Sequence, residues 1–219
     1  MIYVQFISDF TCPFCYVARA AFLEAAKDFE VEIDFLPYEA TPPGQPRPDT
    51  CHDQQKRREY RLYLAKRCRE LGLSAKLPPG VSPRPYTRLA TEGRYFAEDH
   101  GRGIAYSQRV LDAYYLEEQD IGDPEVLTRL AGEVGLDSSS FRAALERGDY
   151  TAVVEQLERD IVEEVQPKRI PTILIGEQIR LDGGAYSVER YRKLLQAAQE
   201  EQLQLALDGA GCGDYGCGI

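Results

Sequence analysis

An apolar run, Ile2-Tyr3-Val4-Gln5-Phe6-Ile7, opens the chain and reads as a strand over 2–7. After Ser8-Asp9-Phe10-Thr11, apolar residues at Val17, Ala18, Ala21, Phe22, Ala25 and Phe29 recur at helical spacing and predict a helix over about 13–28. The period then drops to two in Val31-Glu32-Ile33-Asp34-Phe35, the mark of a strand with one buried face, and Pro37 ends it. A strand, helix and strand of these lengths make a parallel βαβ unit.

Beyond this unit the strand signal disappears. Residues 41–49 hold four prolines and one glycine, the composition of a connector. A helical pattern follows from His52 to Leu71, stopped by Gly72. A second proline-rich connector covers 78–85, and Tyr86-Thr87-Arg88-Leu89-Ala90 begins the next helix. Ser107 to Glu118 is amphipathic through Val110, Leu111, Tyr114 and Leu116. Asp123-Pro124 pairs an N-cap with a first-turn proline, Gly135 stops that helix, and Asp137 and Gly148 bracket a shorter one. Val153, Val154, Leu157, Ile161, Val162 and Val165 mark the last helix of the block.

Strand character returns in Pro171-Thr172-Ile173-Leu174-Ile175, turns at Gly176-Glu177 and continues in Gln178-Ile179-Arg180-Leu181 as an antiparallel hairpin. Gly183-Gly184 leads to a helix over about 188–205. The remainder is too rich in glycine to pack as a helix. The expected architecture is therefore α/β, with βαβ at the front, ββα at the back and a large all-helical insertion between them. Its expected pieces are 1–40 with 166–207, the inserted 41–165, and a flexible 208–219 carrying Cys212 and Cys217.

The chemistry concentrates in Cys12-Pro13-Phe14-Cys15, where the first strand gives way to a helix. Two thiols separated by two residues can close a small disulfide, and a thiol at a helix N-terminus is biased toward the attacking thiolate. Pro13 fits the first helical turn, which asks for no N–H from it. Zinc needs four ligands, and neither a second CxxC nor a histidine pair stands at finger spacing; the two histidines are His52 and His100. No metal and no cofactor is expected at the pair. Cys51 and Cys68, 17 residues apart, lie beyond disulfide reach if one helix carries both; Cys68 reads as core, and Cys51 beside His52 is left open.

Composition narrows the class further. The 219 residues are 43% hydrophobic, enough for a packed core, and no apolar window reaches the ~18 residues of a membrane span. A net charge of −10 argues against nucleic acid or an anionic membrane as partner. Six unevenly spaced cysteines are no disulfide scaffold. The N-terminus lacks a basic region and a small-residue cleavage site, so a cytoplasmic setting is expected.

The layout resembles the thioredoxin fold, and within it the DsbA-like oxidoreductases, most closely their FrnE-like branch. The resemblance rests on Ser8-Asp9-Phe10-Thr11-Cys12-Pro13-Phe14-Cys15-Tyr16, on Ile170-Pro171-Thr172-Ile173-Leu174-Ile175-Gly176, and on Tyr95-Phe96, Asp120-Ile121-Gly122-Asp123 and residues 130–137 in the helical block. It covers residues 1 to about 205. It implies thiol–disulfide exchange with protein or small-molecule thiols and disulfides, Cys12 as nucleophile and Cys15 as resolving thiol. It also implies a cis Pro171 against the CxxC turn, leaving the Ile170 backbone free to pair with an extended substrate. Pro13, Phe14, Ile170 and Pro171 are thus the expected substrate-contacting residues, with glutathione a candidate co-substrate.

Two departures stand out. Phe14 occupies a position where relatives often carry tryptophan or histidine, and it can neither donate a hydrogen bond nor carry charge. The Cys212/Cys217 pair has no place in the core pattern; an auxiliary redox pair, a soft-metal site and an inert tail all fit it. Two other functions remain open on the same fold. One is a glutathione-dependent transferase or isomerase of the kappa-transferase or hydroxychromene-carboxylate isomerase type, whose members typically have serine where Cys12 stands. The other is a non-catalytic binding or chaperone module.

Overall fold

In the computed structural model, which describes residues 1–210, strand β1 (Ile2–Ser8) leads into helix α1 (Pro13–Ala26) and strand β2 (Val31–Pro37). Helices α2 (Gln54–Leu71), α3 (Arg88–Asp99), α4 (Gly103–Tyr115), α5 (Pro124–Glu133), α6 (Ser138–Arg147) and α7 (Thr151–Asp160) follow, the last continuing as a π-helical turn over Ile161–Val165. Strands β3 (Thr172–Ile175) and β4 (Ile179–Asp182) and helix α8 (Val188–Ala210) complete the described residues. The sheet order is β2-β1-β3-β4, with β1 parallel to β2 and the other two pairs antiparallel. This is the thioredoxin fold with its helical insertion between β2 and β3.

Two large buried clusters, with a small third one beside them, hold the described residues together. Val4, Phe6, Ala18, Ala21, Phe22, Ala25, Ile173, Tyr191 and Leu195 pack α1 and α8 on the sheet. Tyr16 and Val17 join Leu64, Phe96, Tyr106, Tyr114, Tyr115 and Phe141 in the core of the insertion. At 100° per residue, the two sets lie about 150° apart around α1, so this one helix is wedged between both cores. Tyr16 stacks on Tyr115 with ring centroids 4.2 Å apart, and Phe22 meets Phe6 and Tyr191 edge-on.

Local signals set most helix ends. Asp53, Asp123 and Asp137 accept N–H groups from the first turns of α2, α5 and α6, and Gly72 and Gly148 end α2 and α6 in the left-handed conformation. Several expectations are corrected. Helix α1 stops at Ala26, so Phe29 belongs to the turn before β2. Helix α2 begins at Gln54, which leaves Cys51 and His52 in the loop ahead of it. Helix α4 ends at Tyr115, so Leu116 is 40% exposed and takes no part in an apolar face. Val153 and Val162 are also exposed. The π turn changes the helical register, and Ile161 and Val165 instead pack with Ile7 and Leu36. The Arg180 guanidinium donates to the carbonyls of Val165 and Gln166 at 2.7 and 3.0 Å and so holds the end of that turn against β4. Helix α8 runs through Asp208, Gly209 and Ala210, past the expected stop near 205, whereas Cys212 and Cys217 lie outside the described residues.

Gly93, inside α3, sits where the insertion is tightest. A Cβ there would lie 2.6 Å from Cζ of Phe141 and closer still to the Tyr106 hydroxyl. Replacing a mid-helix glycine by alanine ordinarily gains about 0.5–1 kcal/mol, but overpacking a dense core costs about 1–3 kcal/mol. Gly93→Ala is therefore expected to destabilise the protein. The check is denaturant unfolding, with a lowered midpoint at unchanged slope the expected outcome.

Candidate active site

The loop from β1 to α1 is built around a buried carboxylate. Asp9, 5% exposed, accepts the backbone N–H and the hydroxyl of Thr11 on Oδ1 at 2.8 and 3.0 Å, and the backbone N–H of Ala40 on Oδ2 at 2.8 Å. One side chain thus fixes the approach to Cys12 and ties it to the segment leaving β2. Sequence reading used Asp9 only as a family marker; the Asp-x-Thr spacing ahead of a helix start is the signal that points to such a turn.

Cys12 is the N-cap of α1, in extended conformation, and its Sγ accepts the backbone N–H of Cys15 at 3.2 Å. The same sulfur faces the carbonyl oxygen of Ile170 at 3.9 Å, and the Ile170–Pro171 peptide bond is cis. Cys12 is half-buried, whereas Cys15 is only 3% exposed. Burial pushes the Cys15 thiol well above its ordinary range, and its hydrogen bond to Cys12 adds to the shift. The two sulfurs are therefore unequal: Cys12 is reachable, and Cys15 holds its proton one turn behind.

The expected substrate-contacting residues separate into two groups. Phe14 and Ile170 line an open groove of about 960 Å³ with Glu59, Tyr63, Arg169, Gly183 and Gly184. Pro13 and Pro171 are buried and serve as supports. Glu59 and Tyr63 bring α2 to the groove, and the buried Tyr60 of the same helix meets Phe14 edge-on at 6.0 Å. Tyr106, Tyr114 and Tyr115 are core residues. Cys15 also borders a separate cavity between α1, β2, α3 and α4. There Arg19 stacks over Phe35 at 4.1 Å, and burial together with the neighbouring Arg94 charge pushes the pKa of Arg19 down to about 10.

Cys68 is buried in the insertion core, as expected. Cys51 is buried too, but in the loop ahead of α2, beside Asp49 and His52.

The segment that Asp9 holds continues into an ion cluster. Glu39, 2% exposed as a side chain, receives a bidentate pair from Arg88 at 2.8 and 2.9 Å. Glu158 accepts the backbone N–H of Glu39 at 3.2 Å and a third Arg88 N–H at 2.9 Å. The Arg88 guanidinium thus serves one buried carboxylate and one half-buried one. Burial, and then the charge of Glu39, raise Glu158 to about 7 against the pull of Arg88.

These geometries frame the comparisons with known proteins. Residues 3–196 match the DSBA-like thioredoxin domain, and the chain belongs to that family. It is 37% identical over 201 residues to the uncharacterized protein YwbO of Bacillus subtilis (strain 168), a match spanning 92% of this chain and 99% of that protein. Solved structures share the fold at lower identity. A probable DsbA oxidoreductase from Streptomyces coelicolor superposes with a TM-score of 0.77 at 23% identity, over 92% of this chain and 91% of that one. A 2-hydroxychromene-2-carboxylate isomerase gives 0.70 at 20%, over 94% and 98%. The cytosolic disulfide reductase DsbM of Pseudomonas aeruginosa, also solved with GSH, gives 0.62 at 19%, over 93% and 99%. Among the described residues, no helix is long and apolar enough to cross a membrane.

Two outcomes are expected. In the reduced protein at neutral pH, a thiol-alkylating reagent should label Cys12 first and leave Cys15 unmodified until the protein unfolds, as read by peptide mass spectrometry. The second concerns pH. Glu158 binds its proton more tightly folded than unfolded, so its contribution to stability is complete below pH ~4.5 and is lost as pH rises toward ~7. The stability difference between the parent and Glu158→Gln, from chemical denaturation at stepped pH, should therefore drift in favour of the variant by on the order of 2–3 kcal/mol across that window. It should be flat on either side.

Proposed function

We propose that this protein is a thiol–disulfide oxidoreductase that works through Cys12 and Cys15 on protein or small-molecule disulfides. One observation carries the reading: a reachable sulfur at a helix N-cap, accepting an N–H at 3.2 Å, backed by a buried thiol one turn behind. The Cys12 thiolate attacks one sulfur of the substrate disulfide. The S–S bond breaks, and its electron pair leaves with the other sulfur, which takes up a proton. Cys15 then loses its proton and attacks Cys12, closing the Cys12–Cys15 disulfide and releasing the second substrate thiol. The protein gives up two electrons and two protons, and the substrate disulfide becomes two thiols. Two glutathione molecules restore the dithiol by the same exchange run from the other side. The extended backbone of a substrate would lie in the groove between Phe14 and Ile170.

The direction follows from what surrounds Cys12. Its sulfur accepts one backbone N–H and faces a carbonyl oxygen, and Phe14 supplies neither donor nor charge. A strong oxidant needs a heavily stabilised reduced form, and among the described residues the hydrogen-bond donor to the Cys12 sulfur is a single backbone N–H. We therefore assign the reducing direction, with glutathione as co-substrate and the cytoplasm as the matching compartment. The glutathione-bound neighbour DsbM, called a cytosolic disulfide reductase, supports this reading.

Equilibration in glutathione buffers of stepped ratio, with thiol trapping and mass spectrometry, tests it. The expected result is a reversible Cys12–Cys15 disulfide whose midpoint lies nearer ~−270 mV than ~−120 mV. Cys12→Ser should abolish reduction of a peptide disulfide, and Cys15→Ser should trap the mixed disulfide at Cys12. An isomerase or transferase would instead keep its glutathione-dependent turnover in Cys15→Ser, and a chaperone module would survive Cys12→Ser.

A further inference from the structure

The loop ahead of α2 gathers three chemically different donors at one point. Sγ of Cys51 lies 3.4 Å from Nδ1 of His52 and 3.5 Å from Oδ1 of Asp49, and Nδ1 lies 2.9 Å from both carboxylate oxygens. All three ligand atoms fall within 4.8 Å of one another. Without an ion the Cys51 thiol donates to Oδ1 of Asp49 while an Nδ1–H donates to the same carboxylate, so two protons occupy the space between the three groups. A shared cation would satisfy all three.

We infer that Asp49, Cys51 and His52 form a binding site for a divalent metal ion of the zinc class, with the fourth position open to water. Zinc bonds of about 2.3 Å to sulfur, 2.0–2.1 Å to nitrogen and 2.0–2.2 Å to oxygen, arranged as a tetrahedron, place these ligand atoms roughly 3.6, 3.5 and 3.3 Å apart. The two separations from sulfur, 3.4 and 3.5 Å, lie within about 0.2 Å of those edges, and the nitrogen–oxygen separation of 2.9 Å would open by roughly 0.4–0.5 Å on binding. A set of one sulfur, one nitrogen and one oxygen suits zinc or cobalt and not the all-oxygen chemistry of calcium or magnesium. Binding replaces the thiol proton, which passes to solvent. The thiolate and the carboxylate then balance the two positive charges, with the imidazole neutral.

The surroundings are arranged as supports. The Ser82 hydroxyl donates to Oδ1 of Asp49 at 2.8 Å, and the His52 backbone N–H reaches the same oxygen at 3.3 Å, fixing the carboxylate's direction. The Arg57 guanidinium donates to the Cys51 carbonyl at 3.3 Å and holds that backbone from the first turn of α2. The imidazole and carboxylate sides are open, at 74% and 52% side-chain exposure, so an ion has a path in. The site fastens the connector before α2 to Ser82 of the second proline-rich connector. It lies immediately before Asp53, the cap of the helix that carries Tyr60 to Phe14. A bound ion would thus brace the wall of the groove without entering it.

The test uses the full chain with Cys12, Cys15, Cys212 and Cys217 all changed to serine, so that neither the CxxC pair nor the C-terminal thiols compete. Titration with cobalt(II) should give one equivalent of binding with a near-ultraviolet thiolate-to-metal charge-transfer band and the visible bands of a four-coordinate ion. Zinc should displace the cobalt. Cys51→Ser should remove the charge-transfer band. His52→Ala and Asp49→Asn, both at exposed side chains, should each lower the zinc affinity by about tenfold or more. The absence of stoichiometric binding, a charge-transfer band that persists in Cys51→Ser, or unchanged zinc affinity in His52→Ala would each overturn the assignment. The metal readout does not depend on disulfide exchange at Cys12, so the two readings stand or fall separately.

Discussion

The position of the reactive sulfur depends on a helix that is buried twice. Helix α1 presents Ala18, Ala21, Phe22 and Ala25 to the sheet and Tyr16 and Val17 to the insertion. The small alanines on the sheet side let the helix sit close, and the aromatic Tyr16, stacked on Tyr115, joins it to the second core. Such a helix cannot rotate to relieve strain on one face without opening a void on the other, and voids in dense cores cost several kcal/mol (~2–5 for one large side chain). Its N-terminus is therefore a fixed point, and Cys12, as the cap, inherits that fixity. The Asp9 carboxylate completes the restraint from the other direction by fastening the incoming loop through Thr11 and Ala40.

This double burial also explains why the insertion is more than an ornament on the thioredoxin core. Its own hydrophobic cluster is incomplete without Tyr16 and Val17, and the groove beside Cys12 takes one wall from Glu59 and Tyr63 of α2 and another from Ile170 ahead of β3. Elements far apart in sequence thus meet around one short turn. The polar side of the same junction runs from Asp9 through Ala40 and Glu39 to Arg88 and Glu158, so that the loop holding the cysteine and helices α3 and α7 share one set of charges.

What the amino-acid pattern revealed, and what it did not, follows from how local each determinant is. The ends marked by Asp123-Pro124, Asp137, Gly148 and Gly72 were readable because capping involves groups within one turn of each other. The CxxC pair was readable because it is a local motif, and the structure brings the distant Ile170 carbonyl to within 3.9 Å of the Cys12 sulfur. The π turn at Ile161–Val165 was not readable, because Ile161 is held in register by Ile7 and Leu36 on distant strands, and the helical spacing of Val153 and Val162 carried no sign of it. The end of α8 was misplaced because glycine content is a weak guide against a helix already anchored by Tyr191 and Leu195. Cys51 and His52 were visible as neighbours, but their convergence with Asp49 depends on the path of a proline-rich loop and on Ser82 beyond it, and no periodicity encodes either.

The chemistry at the pair is governed by a difference in burial more than by any single hydrogen bond. An exchange enzyme must hold one sulfur where a substrate can reach it and keep the second from reacting until the mixed disulfide forms. Geometry alone would not separate two cysteines three residues apart, since both lie in the first turn of the helix. Desolvation does separate them, because the charged form of the inner thiol finds few partners in the interior. Once a substrate sulfur occupies Cys12, the hydrogen bond that Cys15 gives to Cys12 loses its acceptor in that form, and one restraint on the inner proton is lifted. In the proposed exchange, release of the second thiol would thereby be coupled to capture of the first. The wedge that fixes α1 is what keeps that coupling intact, because it holds Cys15 inside the core while Cys12 stays at its edge.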